Sequence, residues 1–327
     1  MTTSKVTPSQ STPPDVTPHE FTEADDHFHF AKLSDRWWET ETSWFSFCQP
    51  ERRLGGWLYT MVRPNIGTVA GGAWIWDHTA HLPWEALYSS NLTAQRFDKA
   101  TDLADCKLAN GVSIKRLAPL QSYKLGYHDE GRLHVDLTFD AVMQPRALRR
   151  AGSVFKAASH FDQFGHVTGE IVLNGETIAI DCLAMRDRSW GPRAEHRPSK
   201  NAYVTGIASP RDAFLAVTRW ENGIEHVAYG FMIRDGEIAD LVSGTRRVER
   251  CPANGWVTSM TIEAKDEHGR TLEARGERVS GIIINRHSFI DSNGLMRWTI
   301  NGHAGDGEDQ DMWPVADWAA MRRQARR

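Results

Sequence analysis

The chain of 327 residues is 40% hydrophobic and 24% charged, a composition typical of a globular protein with one large domain or two smaller ones. Its 38 basic and 42 acidic residues leave a formal charge of −4, so no basic excess favours binding to nucleic acid or to an anionic membrane surface. We find no apolar run long enough for a transmembrane segment, and the four cysteines lack metal-site spacing, which favours reduced thiols and a cytoplasmic location.

The beginning of the chain has the composition of an unfolded segment. Residues 1–20 are rich in Thr, Ser and Pro and lack an apolar signal-peptide core, which predicts a disordered leader. We place an N-terminal domain at residues 21–150 and a C-terminal domain at 151–327. The boundary falls in the stretch 144–151, which contains a proline and an Arg-Arg pair and reads as a linker or a short helix.

The first strand-like segment, residues 36–47, is unusually aromatic. In an extended conformation it places Trp38 and Trp44 on one face and Glu41, close to Phe45, on the other. Glu41 is then either a carboxylate in aromatic surroundings, with a raised pKa and the properties of a general acid, or a solvated residue of an edge strand.

A later strand, residues 68–77, combines paired glycines with paired indoles. Gly71 and Gly72 give the backbone room for a bulge or a close approach. Trp74 and Trp76 share one face, and Asp77 follows at the strand end. We therefore consider the two tryptophans as contacts of an apolar ligand and Asp77 as a candidate acid or base.

A hairpin leads to the most polar motif of the chain. Asn-Gly at 174–175 joins two apolar runs and predicts a type I′ turn. The returning strand is apolar on both faces and ends in the motif 186–193, RDRSWGPR. Asp187 between two arginines could form a structural ion-pair cluster, with Trp190 as a plug. Alternatively, Asp187, Arg188 and Trp190 lie at the entrance of a ligand cavity.

The second half of the chain continues in the same style. Strand-like runs, including the one that carries Tyr203, recur about every ten residues with Asn-Gly, Asp-Gly and His-Gly turns between them. This spacing favours a sandwich or a barrel. Residues 313–327 read as a C-terminal helix. The motifs of nucleotide, flavin and zinc-hydrolase sites do not occur, so sites of these three classes are not expected.

Several of these stretches resemble one family. The residues around 161–169, the turn at 174–175 and the motif 186–193, together with 72–77 and 140–145, are similar to the superfamily of hydroxyneurosporene synthase (carotenoid 1,2-hydratase) and AttH-like proteins. The resemblance covers most of residues 25–315. It implies an all-β fold of two lipocalin-like (calycin) antiparallel barrels side by side, no cofactor, and hydration or cyclisation of hydrophobic polyenes or terpenoid-like substrates.

One position departs from the carotenoid hydratases, which carry a histidine two residues before the tryptophan of the motif. Here that position is Arg188. Arginine stays protonated, so it is a poor proton donor but holds a carboxylate, a phenolate or a developing oxyanion well. A smaller ring compound with a polar group is therefore a better expectation than a carotenoid.

Two functions follow from these observations. The first is a cofactor-free lyase, hydratase, isomerase or cyclase for a terpenoid, steroid or aromatic compound. Asp187 or Asp77 would be its acid or base, and Arg188 would orient the substrate. The expected cavity contacts are Arg186, Glu41, Trp38, Trp44, Trp74, Trp76, Trp190 and Tyr203. The second is a non-catalytic carrier of a hydrophobic ligand. The sequence leaves a homodimer open.

Overall fold

The computed structural model describes residues 21–147, 159–193, 199–286 and 289–325. The expected leader at 1–20 and part of the expected boundary at 144–151 lie outside these residues. The described chain consists mainly of β-strands, and its one α-helix, α1 (Val315–Gln324), lies at the C-terminal end. The predicted all-β class and the C-terminal helix are thus confirmed. None of the described helices is long and apolar enough to span a membrane.

The first sheet contains eleven strands and is curled. Its strands are β1 (Glu39–Gln49), β2 (Leu54–Arg63), β3 (Thr68–Trp76), β4 (Tyr88–Arg96), β5 (Asp105–Lys107), β6 (Val112–Ala118), β7 (Ser122–Asp129), β8 (Leu133–Ala141), β9 (Arg146–Ala147), β10 (Ser159–Leu173) and β11 (Glu176–Pro192). Their spatial order is β4-β3-β2-β1-β11-β10-β8-β7-β6-β5, with β9 beside β10. Among the described strands, β4 and β5 form the two edges.

The second sheet closes into a barrel of eight antiparallel strands in chain order. The strands are β12 (Asn201–Ser209), β13 (Asp212–Glu221), β14 (Ile224–Arg234), β15 (Glu237–Arg250), β16 (Val257–Asp266), β17 (Thr271–Arg286), β18 (Phe289–Ile300) and β19 (His303–Pro314). Closure follows from the pairing of β12 with β19. The closed barrel and the curled sheet form the two halves of the molecule.

The division between the sheets lies later in the chain than residue 150. The β10–β11 hairpin turns at Asn174 and Gly175, both with positive φ as a type I′ turn requires, and pairs with β8 on one side and β1 on the other. Backbone pairing therefore assigns residues 159–192 to the first sheet, and the barrel begins at Asn201.

Three apolar clusters follow from the alternation of side chains along the strands. One fills the inside of the curled sheet and contains Phe45, Leu58 and Phe139. One fills the barrel, around Phe214 and Trp298. The third joins the outer face of the first sheet to the outside of the barrel, and we call it the intersheet layer. Its members include Trp44, Trp57, Trp74, Trp76, Phe164, Met185, Tyr203, Leu215 and Phe231.

Candidate functional site

The charged motif at the end of β11 is divided between the two faces of the first sheet. Asp187 lies opposite Trp44 of β1 and Asp162 of β10, so its side chain points into the intersheet layer. Arg186 and Arg188 point to the inside of the curled sheet. The alternation of the strand therefore separates Asp187 from the two arginines that flank it in sequence.

On the inner side, Arg188 forms a buried ion pair with Glu41 of β1. Its guanidinium also donates to the carbonyl oxygens of Thr42 at 3.0 Å and His27 at 3.1 Å. Burial raises the pKa of Glu41, but Arg188 and His29 outweigh this effect and leave the pKa below its usual value. The expectations of a raised pKa and of a solvated edge residue are both wrong, because the neighbouring strand β11 supplies the cation and β1 lies between β2 and β11, away from the sheet edges.

The rest of the inner cluster is packed around these charges. The imidazole of His29 stacks on the indole of Trp190 with ring centroids 4.0 Å apart. Arg186 is buried, donates to Gln163 Oε1 at 2.6 Å and lies over the ring of Tyr123 at 4.1 Å. These contacts resemble the structural ion-pair cluster considered above, with Glu41 rather than Asp187 as the partner of Arg188.

On the outer side, four polar side chains meet in the intersheet layer, and we call them the interface cluster. They are His160 and Asp162 of β10, Asp187 of β11 and Tyr203 of β12. The Tyr203 hydroxyl donates to Asp162 Oδ1, and His160 Nε2 lies 3.1 Å from the same oxygen. His160 and Asp162 are buried, whereas Asp187 is partly exposed.

The surroundings of the interface cluster raise the pKa values of two of its members, Tyr203 and His160. Burial and the nearby Asp162 and Asp187 carboxylates raise the pKa of Tyr203 well above its usual value, so its hydroxyl stays neutral. Burial lowers the pKa of His160, but the Asp162 carboxylate outweighs this effect and the pKa lies above its usual value. In the cluster the Asp162 carboxylate thus favours the protonated form of the His160 imidazole, and the partly exposed residue Asp187 lies beside them.

Three members of the cluster have the donor atoms of a metal site. Each of these residues offers one possible ligand atom, and the three atoms lie within 4.8 Å of one another; the residues are His160, Asp162 and Asp187. Asp162 already accepts hydrogen bonds from Tyr203 and His160. The same contacts suit a proton-transfer network, because they join His160, Asp162 and Tyr203 in one chain of hydrogen bonds.

An aromatic wall borders the cluster. Trp44 and Trp76 each meet Trp57 edge to face at 5.5 Å, and Trp74 lies 6.4 Å from Trp57. All four indoles are buried. Trp44 is the backbone partner of Asp187, so the wall starts directly beside the partly exposed carboxylate. The predicted contacts Trp44, Trp74 and Trp76 are therefore brought together with Asp187 and Tyr203.

Two other predicted residues lie apart from both clusters. Trp38 precedes β1, is half-buried and packs edge to face on Trp37. Asp77 follows β3 and accepts from the backbone nitrogen and the hydroxyl of Thr79, at 2.8 and 2.6 Å, as a turn residue does. It lines a surface pocket of about 520 Å³ with Arg52 and Glu176.

Sequence reasoning missed three titratable residues of the intersheet layer. His160 and Asp162 are two residues apart in a strand, and this spacing places both on one face. Glu308 of β19 accepts from Trp57 Nε1 at 2.8 Å, and burial raises its pKa to about 8. No sequence signal identified Glu308, because its partner Trp57 belongs to the other sheet.

The comparisons with known proteins agree with this architecture. The model of a protein family, described as a domain of unknown function (DUF7064), matches residues 22–312. The chain belongs to this family. Comparison with the curated proteins gives no match.

Solved structures with the same fold include AttH and a hydratase. A protein of AttH type from Nitrosomonas europaea is 13% identical with a TM-score of 0.57, covering 92% of this chain and 98% of its own. Kievitone hydratase from Nectria haematococca is 13% identical with a TM-score of 0.54, covering 85% and 90%. CghA with Sch210972 is 12% identical with a TM-score of 0.53, covering 84% and 88%. The AttH-like fold is thus established, and the narrower resemblance to hydroxyneurosporene synthase stays a prediction.

Proposed function

We propose that this protein is an acid/base enzyme that hydrates, dehydrates or cyclises a hydrophobic small molecule at the interface cluster. The observation that carries this proposal is the placement of Asp187. This residue is partly exposed, lies beside a buried His160–Asp162–Tyr203 network and borders a wall of four indoles. A terpenoid, steroid or aromatic compound would complement these apolar surroundings of Asp187.

The four polar residues divide naturally into two roles. Asp187 is the group that meets the substrate, since His160 and Asp162 are covered. For hydration of a carbon–carbon double bond, the buried His160 passes its proton to Asp187, which delivers it to carbon and becomes a carboxylate. Asp187 takes one proton from the attacking water. In the reverse elimination the same groups exchange these roles. Tyr203 keeps the Asp162 carboxylate in place through its hydrogen bond.

The relatives support this chemistry only by analogy of fold. The name of kievitone hydratase states a hydration, and CghA was solved with a small molecule, Sch210972. At 12–13% identity the substrate does not transfer, so the reaction class proposed here depends on the residues of this chain.

A comparison of two Asp→Asn variants of β11 tests the proposal. Asp181 lies on the same strand with 81% of its side chain exposed, so Asp181→Asn is a matched control for Asp187→Asn. Each purified protein is incubated with a pool of hydrophobic metabolites, which is followed by mass spectrometry. We expect a compound to be converted by the wild type and by Asp181→Asn, with the rate lowered at least about 100-fold in Asp187→Asn.

Two outcomes would contradict the proposal. Conversion by Asp187→Asn at the rate of the control would remove Asp187 from the chemistry. A compound that copurifies unchanged with all three proteins, with no conversion by any of them, would favour the carrier function instead. Circular dichroism of the three proteins excludes misfolding as the cause of a lost activity.

A further inference from the structure

One end of the barrel gathers charged side chains that the proposed reaction does not use. This end comprises the starts of β12 and β14 and the ends of β15 and β19, and we call the group the barrel-end cluster. Its cations are Lys200, Arg246, Arg250 and Arg278, and its carboxylates are Glu225, Asp309 and Asp311. A barrel interior of this size is more commonly filled with apolar side chains.

The carboxylates of the cluster are shielded, and two of its cations are within reach of solvent. Arg246 bridges Glu225 at 2.6 Å and Asp309 at 2.7 Å, and its side chain is completely covered. The side chain of Asp311 is also completely covered, beneath Arg250. By contrast, Arg250 and Lys200 keep 18% and 11% of their side chains exposed. The end of the barrel therefore presents positive charge outward.

Arg278 is the cation of this cluster that lacks an ion pair. Among the described residues it forms no salt bridge; it donates to Ser292 Oγ at 3.3 Å and to the carbonyl oxygen of Asn293. Its buried Nε has no hydrogen-bond partner there. Burial lowers the pKa of Arg278 to about 10, and the more distant Asp309 and Asp311 only partly oppose this effect. Binding of an anion would stabilise a guanidinium in this state.

Three indoles hold these cationic groups in fixed positions. Lys200 Nζ lies 3.5 Å from the ring centroid of Trp220 and 4.1 Å from that of Trp313. Arg250 also lies over Trp313, at 5.0 Å, and Arg278 lies over Trp256 at 4.3 Å. Such contacts orient a cation over the face of an aromatic ring.

We propose that the barrel-end cluster binds an anionic ligand with a flat, aromatic body. A carboxylate or phenolate would pair with Arg278 and with the partly exposed Arg250 and Lys200. Its ring would lie against the partly exposed indole of Trp313. Arginine is suited to this role because its planar fork matches a carboxylate in two hydrogen bonds. The site is separate from the interface cluster, which lies on the outside of the barrel.

The test compares two probes of equal shape and different charge. Isothermal titration calorimetry measures binding of naphthalene-2-carboxylate and of the neutral naphthalene-2-carboxamide. We expect the wild type to bind the carboxylate at least about tenfold more tightly, the preference expected from a charge-assisted hydrogen bond. Arg278→Met should reduce this preference to about twofold or less. Arg247→Met removes an exposed arginine of the same barrel, paired with Glu263, and should leave it unchanged.

The remaining outcomes decide against the proposal. No binding of the carboxylate by the wild type, equal binding of both probes, or a preference retained in Arg278→Met would overturn it. If Arg278→Met does not fold, Lys200→Met replaces it, with the same loss of preference expected. Asp187→Asn should bind the carboxylate like the wild type, so this result is independent of the proposed enzymatic function.

Discussion

Asp187 and Arg188 are consecutive in β11, but their side chains lie on opposite faces of the first sheet. Asp187 points towards the barrel, opposite Trp44, whereas Arg188 pairs with Glu41 inside the curled sheet. A change at one of these residues therefore disturbs a different set of contacts from a change at the other. A substitution of Arg188 should mainly lower the stability of the fold, whereas a substitution of Asp187 should mainly lower the activity.

Arg188→Met should strongly destabilise the fold. The substitution leaves the buried Glu41 carboxylate without its cation, and breaking a buried pair in this way costs about 3–5 kcal/mol. Urea unfolding measures the loss. The exposed pair Arg52–Glu176 provides the control, and Arg52→Met should cost no more than about 1 kcal/mol. Equal effects of the two variants would show that the inner pair contributes little.

Glu308 should make the protein less stable as the pH rises from about 5 to about 8. Burial raises its pKa from an ordinary 4.5 to about 8, so the folded state keeps a proton that the unfolded chain releases. Its contribution is complete below pH 4.5 and is lost as the pH rises through 8, with a slope of up to about 1.4 kcal/mol per pH unit. Glu308→Gln should flatten the dependence of the urea midpoint on pH, and the exposed Glu263→Gln should not.

The imidazole of His160 should titrate above its ordinary value of 6.5. Burial lowers the pKa of His160, and the Asp162 carboxylate is the main group that raises it. Asp162→Asn removes this carboxylate, so we expect the pKa of His160 to fall. NMR of the histidine ring protons across the pH range measures both values. A value that does not change in Asp162→Asn would mean that Asp162 does not hold the proton on His160. His166, which pairs with Asp181 at the surface, is an internal reference.

Gly71→Ala should destabilise the first sheet more than Gly175→Ala. Both glycines have positive φ, but a Cβ at residue 71 would lie 2.2 Å from the carbonyl oxygen of Tyr59, whereas one at residue 175 meets nothing within 4 Å. The conformational penalty at Gly175 is about 1–2 kcal/mol. Thermal unfolding compares the variants, and similar losses would show that β2 and β3 can separate to admit the methyl group.

Local patterns of the sequence predicted local structure well. The Asn174-Gly175 turn, the strand alternation and the recurring turns of the second half were sufficient for the all-β class and for a choice between a sandwich and a barrel. The family resemblance then favoured the barrel. The alternation also contained a signal that was not used: in a strand, residues 186, 188 and 190 share one face and residue 187 faces the other way. The separation of Asp187 from Arg188 could have been derived from it.

Contacts between distant segments could not be predicted in the same way. The pKa of Glu41 is set by Arg188, which lies across the β1–β11 pairing. Glu308 meets Trp57 only because the two sheets pack together. Neither register nor sheet packing follows from the residues near Glu41 or Glu308, since each depends on which strands become neighbours.

The position of β11 in the first sheet determines when that sheet can be completed. β11 is the last strand of the sheet in chain order, but it lies between β1 and β10 near the middle. A growing chain that ends at Ala147 would leave β1 and β8 with exposed backbone edges, which invite pairing with other chains. Completion requires β1 to pair with a strand that follows it by more than a hundred residues, a slow kind of closure. The same event brings Asp187 to Trp44, so the first sheet is completed together with the three residues that it contributes to the interface cluster.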